Sequence, residues 1–116
     1  SAWHWCEKEA ECHGISGAAV FEHYMKRLSQ RGWGLFETQK LDLETGHAEV
    51  KLKHSAFVYV YGKVNRKVDY MFTGWFSGAI DQILAAKGSP IRTVTVQEYS
   101  GAEDGHDDGL FVTRPL

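Results

Sequence analysis

Four side chains near the start of the chain are of the types that bind metals or act as nucleophiles: His4, Cys6, Cys12 and His13. Cys6 and His13 are seven residues apart, a spacing that puts both on one face of a continuous helix. Zinc sites, however, usually leave two to four residues between paired cysteines, and five separate Cys6 from Cys12. A Cys–His nucleophile pair also needs a depressed thiol pKa and a third group to orient the imidazole. The sequence supplies neither, so buried thiols and surface imidazoles are expected, with no metal site and no catalytic residue.

A second chemical feature is the acidic stretch Glu103, Asp104, Asp107 and Asp108. It lacks the alternating Asp/Asn ligands and distal Glu of a calcium loop, so a solvated turn is expected. Glu98, at the end of an apolar run, is suited to accept hydrogen bonds from the amides of the following turn. Acid–base work by Glu98 or His54 is the alternative.

The third feature is a surplus of rings: four Trp, five Tyr and six Phe, 13% of 116 residues. Each can bury roughly 150–250 Å². Phe21, Tyr24, Met25, Tyr70, Phe72, Trp75 and Phe76 lie in helical stripes, and such stripes usually pack a core. The functional alternative is a slot between helices that closes around an apolar ligand, with Tyr24, Tyr70 and Trp75 orienting its polar end.

The elements that must position these residues follow from periodicity. Trp3 to about Cys12 reads as a helix, and Ser16 is a candidate N-cap for a second carrying Val20, Phe21, Tyr24, Met25 and Leu28. Gly32 suits its C-terminus. The period then falls to two: Trp33 to Leu41 and Ala48 to Lys53 form a hairpin around Asp42–Gly46. Ser55 to Tyr61 extends that strand or runs as a buried loop. Val68 to Ala86 is the most apolar helix, apolar almost all round and so covered on both sides. Gly74 and Gly78 would admit a close backbone or ligand. Ile91 to Tyr99 and Leu110 to Thr113 form a last hairpin. The order helix, helix, hairpin, helix, hairpin is that of an α+β domain: an antiparallel sheet of about four strands packed against two or three helices, in one layered unit over residues 1–116.

The net charge of −2, with acids and bases interspersed, argues against a nucleic-acid partner. No apolar run is long enough to span a membrane, and Glu7, Lys8, Glu9 and Glu11 interrupt any signal-peptide core. Two cysteines do not make a disulfide scaffold, so a reduced, cytoplasmic setting is expected.

The C-terminal half resembles the 4-vinyl-reductase-like (hydrocarbon-binding) domain family. The residues that carry the likeness are Gly74-Trp75-Phe76-Ser77-Gly78-Ala79, Val94, Val96, Glu98, Gly105, Phe111 and Val112. Arg31-Gly32-Trp33-Gly34 and His54-Ser55 agree in outline. The resemblance implies a small-molecule-binding module for hydrocarbon-like ligands, often a sensor attached to other proteins. It also implies a fold shared with Golgi vesicle-tethering subunits and haem-based nitric-oxide sensors. The family's pair of cysteines falls at Gly101 and Gly109, which cannot ligate through a side chain. Tyr99-Ser100-Gly101 likewise lacks the Tyr-x-Ser-x-Arg element of the haem branch.

The sequence thus points to a non-enzymatic domain that binds an apolar small molecule without a cofactor, in an aromatic-lined pocket between the long helices and the sheet. A homodimer is expected, through exposed parts of the apolar helix. The alternatives are a protein–protein interaction module without a small ligand, and an enzyme acting on an apolar substrate.

Overall fold

A computed structural model describes residues 1–116. Helices α1 (Ala2–His13) and α2 (Ala18–Gln30) precede strands β1 (Leu35–Asp42) and β2 (His47–Lys53). A short helix α3 (Ala56–Tyr61) and the long α4 (Phe72–Ala86) follow, then β3 (Thr93–Tyr99) and β4 (Gly109–Pro115). The four strands form one antiparallel sheet in the order β1-β2-β4-β3. The α+β expectation holds, with four helices rather than two or three.

Ser1 starts α1 by accepting a hydrogen bond from the His4 amide, and Gly14 ends it at φ 64°, a left-handed conformation that costs glycine little. Only Cys6 of α1 is buried. The buried face of α2 is the predicted stripe of Val20, Phe21, Tyr24, Met25 and Leu28. Its first turn has Gly17 at the cap position and no side-chain cap, so Ser16 does not play that part.

The first hairpin closes as its residue types dictate. Gly46 donates its amide to Asp42 O at 2.9 Å, and Asp42 Oδ1 accepts from Glu44 N at 3.0 Å. That second bond holds the Asp42 carboxyl below its ordinary range. In β2 the burial alternates strictly, with Ala48, Val50 and Leu52 inward.

Ser55–Tyr61 is neither strand nor loop but helix. His54 takes a positive φ of 54° and breaks the strand; Ser55 then caps α3 by accepting from Val58 N. A good cap thus outweighs the strand preference of Val, Phe and Tyr. Ser55 is held in turn by Asp69, whose Oδ1 it reaches at 2.5 Å. Asp69 is fully buried, and Gln97 Nε2 lies 3.5 Å from its other oxygen. Burial pushes the Asp69 carboxyl up, and the hydrogen bonds from Ser55, Gln97 and Ser100 offset this in part. Val68–Met71, expected in the same helix, lie outside α4, which begins at Phe72.

As predicted, α4 is covered on both sides. Its inner face carries Phe72, Phe76, Ile80 and Ile83 into the core. On the other side, a Cβ at Gly78 would lie 3.3 Å from Ala2 Cβ of α1. Asp81 pins α4 to the start of β3 through bonds from Thr93 N and Thr93 Oγ1, both 2.8 Å. At the centre of the core Phe36, Phe72, Phe76 and Phe111 meet edge to face, with centroids 5.0–6.2 Å apart. Each of the two outermost strands breaks register once, β1 between Thr38 and Lys40 and β3 between Gln97 and Tyr99.

Candidate functional site

Between the helices and the sheet, where the pocket is expected, edge-to-face contacts bring the β1 and β4 phenylalanines against those of α4. The opening lies on the opposite flank, where α1 rests on α2 and α4. It is a groove of about 520 Å³, within the range of small-molecule sites.

The groove is layered. Tyr24 and Leu28 of α2, both buried, make its floor, and the half-buried Trp5 of α1 and Trp75 of α4 make its walls. His4, Lys8, Arg27 and Arg31 stand exposed at the rim. Packing fixes the walls. Trp5 lies 5.2 Å from the Tyr24 ring, and Trp75 meets Phe72 edge-on at 5.1 Å. Burial, and then the nearby Cys6 thiol, pushes the Tyr24 phenol up, against a smaller opposing pull from Arg31. The floor therefore carries a neutral hydroxyl, while the rim carries the cations Lys8, Arg27 and Arg31. Such a site suits an apolar or aromatic body with an acidic or polar end.

Of the seven residues singled out from sequence, Tyr24 and Trp75 line this groove. Phe21, Met25, Phe72 and Phe76 are sealed in the core. Tyr70 is 70% exposed, in the turn before α4, and contributes to neither. Trp5, Lys8, Arg27 and Arg31 were not singled out. Tyr24, Arg27, Leu28 and Arg31 recur at helical spacing, a signal legible in the sequence; that Trp5 faces them depends on how α1 docks.

A second hollow, about 600 Å³, lies beside α3 and is lined by His54, Ser55, Val58, Tyr59, Asp107 and others. Tyr59 is 92% and Val60 75% exposed, so these walls do not close around a ligand. Tyr61 and Val64 extend this exposed apolar surface, and Leu35, Tyr70 and Leu116 are exposed elsewhere. In α3 itself no residue is fully buried.

The remaining candidates are separated. The Cys6 thiol is buried and pushed up to about 12 by desolvation and then by Glu9, whereas Cys12 is exposed. His4 bonds Ser1 Oγ at 3.0 Å, and His13 turns to Glu9. Glu98 faces solvent at the β3 irregularity, and the Ser100 amide is instead capped by Glu103 Oε1 at 2.8 Å. The acidic turn is tied down by Lys63, whose ammonium donates to Gly101 O at 2.8 Å and also to His106 O. A side chain at Gly101 would bring its Cβ within 2.7 Å of Asp107 O.

Residues 1–39 match a family described as a domain of unknown function (DUF5943). No curated protein matches the sequence. Among solved structures, the chain is similar to the phenol-responsive sensory domain of the transcription activator PoxR, crystallised with phenol. The TM-score is 0.70 at 14% identity, over 98% of this chain and 60% of that one. It is similar to a vinyl-4-reductase family protein from Methanocaldococcus jannaschii, with a TM-score of 0.63 at 13% identity, over 100% of this chain and 68% of that one. It is also similar to a trafficking protein particle complex subunit 3 from Naegleria fowleri, covalently bound to palmitic acid. There the TM-score is 0.53 at 9% identity, over 99% of this chain and 73% of that one. At these identities the likeness establishes the fold, and the chain spans about three fifths of the PoxR sensory domain. This is a fold that a sensory domain and a vinyl-4-reductase family protein share.

Proposed function

We propose that the chain is a non-enzymatic small-molecule-binding domain of the 4-vinyl-reductase-like type, serving as a sensor module for an apolar or aromatic ligand. The observation that carries this reading is the groove itself: two tryptophan walls, a neutral tyrosine hydroxyl at the floor and cations at the rim. The phenol and the palmitic acid held by two proteins of this fold are ligands of that general kind. Burial of ten methylenes contributes roughly 8 kcal/mol, from which the ordering costs of binding are subtracted. Catalysis is disfavoured because the Cys6 thiol stays protonated and Glu98 faces water. Two free thiols suit the cytoplasm.

The test uses phenol and palmitic acid as probes. Titration followed by tryptophan fluorescence is expected to saturate for at least one of them, and Trp75→Ala or Trp5→Ala to weaken it at least tenfold. Native mass spectrometry of the purified chain is expected to show a co-purified small molecule. Failure of both probes together with an empty mass spectrum would overturn the reading.

One observation favours a second reading, an interaction module. Tyr59, Val60, Tyr61 and Val64 form an exposed apolar surface on and beside α3, and a homodimer through that surface is its natural form. The mass of a single chain at every concentration in sedimentation measurements would exclude the homodimer.

A further inference from the structure

Away from the groove rim, α1 and α2 bring three side chains to one point. Glu9 and His13 stand one turn apart on α1, and so share a face; His23 comes from α2. The Glu9 carboxylate and the imidazole nitrogens of His13 and His23 present atoms that all lie within 4.8 Å of one another. Both imidazoles direct Nε2 at the same carboxylate, His23 at 3.1 Å and His13 at 3.8 Å. We propose that Glu9, His13 and His23 bind one divalent transition-metal ion of the zinc class, which clips α1 to α2.

Three properties support the assignment. The first is separation. Zinc with bonds of about 2.0–2.2 Å in a tetrahedral site sets its ligand atoms roughly 3.3–3.5 Å apart. The three ligand atoms, all within 4.8 Å of one another, stand near that spacing. The second is orientation. The His23 ring lies against Trp5, with centroids 5.4 Å apart and planes at 22°, and His13 meets His23 edge-on at 5.3 Å. Two rings already packed against neighbours lose less freedom when they coordinate. The third is the donor set. Two imidazoles and one carboxylate suit zinc, nickel, cobalt or copper, whereas magnesium and calcium prefer an all-oxygen shell. Three protein ligands leave a fourth position, and the His13 side chain is 55% exposed, so that position opens to water.

The site shares no ligand with the groove, and the proposal stands whether or not the groove binds a small molecule. The alternative explanation of the same geometry is a carboxylate that hydrogen-bonds an imidazole on each side, and it predicts no saturable metal binding.

The test is calorimetric titration of the full chain, freed of any affinity tag and stripped with chelator, against zinc chloride. One ion per chain is expected, with a dissociation constant of roughly 1–10 μM, weaker than closed four-ligand sites. A hundredfold excess of zinc over that constant should raise Tm by several degrees. Cobalt(II) in place of zinc is expected to give the visible absorption of a low-coordinate site. His13→Gln and His23→Gln should each weaken zinc binding at least tenfold, while His47→Gln, beside the first hairpin loop, should leave it unchanged. Should His23→Gln disturb the packing of Trp5, the exposed His13 provides the variant free of that effect. No saturable one-to-one binding, or equal affinity in His13→Gln and the unsubstituted chain, would overturn the proposal.

Discussion

The two faces of α4 show how one helix can be both sealed and open. Its inner face sets Phe72 and Phe76 edge-on against Phe36 and Phe111. Its outer face meets α1, which buries a single residue, Cys6. Ala2, Trp5 and Ala10 pack only partly against the core, and the groove lies along that edge of α1. Aromatic abundance therefore does not by itself mean a pocket. A pocket forms where rings border an element that has little apolar surface to bury.

Removing a ring from each face gives the largest contrast. Phe76→Ala should cost about 3–5 kcal/mol in urea unfolding, the usual loss for a fully buried phenylalanine. Trp75→Ala, at a half-buried wall, should cost no more than about 2 kcal/mol while reducing ligand binding. Equal losses at the two positions would erase the distinction between the faces.

Asp69 sharpens it by pH. Its folded pKa is raised, chiefly by burial, so the native state holds this proton more tightly than the unfolded chain does. The contribution is fully present below the ordinary carboxylate pKa and is lost as pH rises through the higher folded value. Asp69→Asn should flatten that part of the stability–pH curve, measured by denaturant titration from acid to neutral pH. A curve of unchanged slope would show that Asp69 is not the group responsible.

The smallest effect leaves stability untouched. With its thiol pushed up to about 12, Cys6 holds roughly one part in ten thousand as thiolate at pH 8. Iodoacetamide at that pH should label the exposed Cys12 alone in the folded chain, and both thiols after denaturation, as read by intact mass. Rapid double labelling without denaturant would mean that α1 opens readily.

The sequence carried most of the fold because strong local signals agreed with the tertiary outcome. The α2 stripe, the Asp42–Gly46 loop and the alternation of Ala48, Val50 and Leu52 each follow from spacing alone. It misled at Ser55–Tyr61, where β-branched and aromatic residues suggest a strand. There a capping serine, itself fixed by the distant Asp69, made a helix. The candidate site was half legible. Tyr24 and Trp75 line the groove, but Trp5 faces them only through the docking of α1. The metal-type residues show the same limit. His13 stands beside cysteines in the chain, yet its partners in space are Glu9 on its own helix and His23 ten residues further on.

The lapses of register in β1 and β3 bear on how copies of this chain can meet. Both lie on the sheet's outermost strands, and each turns a charged side chain, Lys40 or Glu98, to solvent. A neighbouring strand that tried to add there would find its ladder of backbone bonds broken partway along and a charge in its path. Open-ended stacking, the route to fibrils, is therefore blocked at both margins.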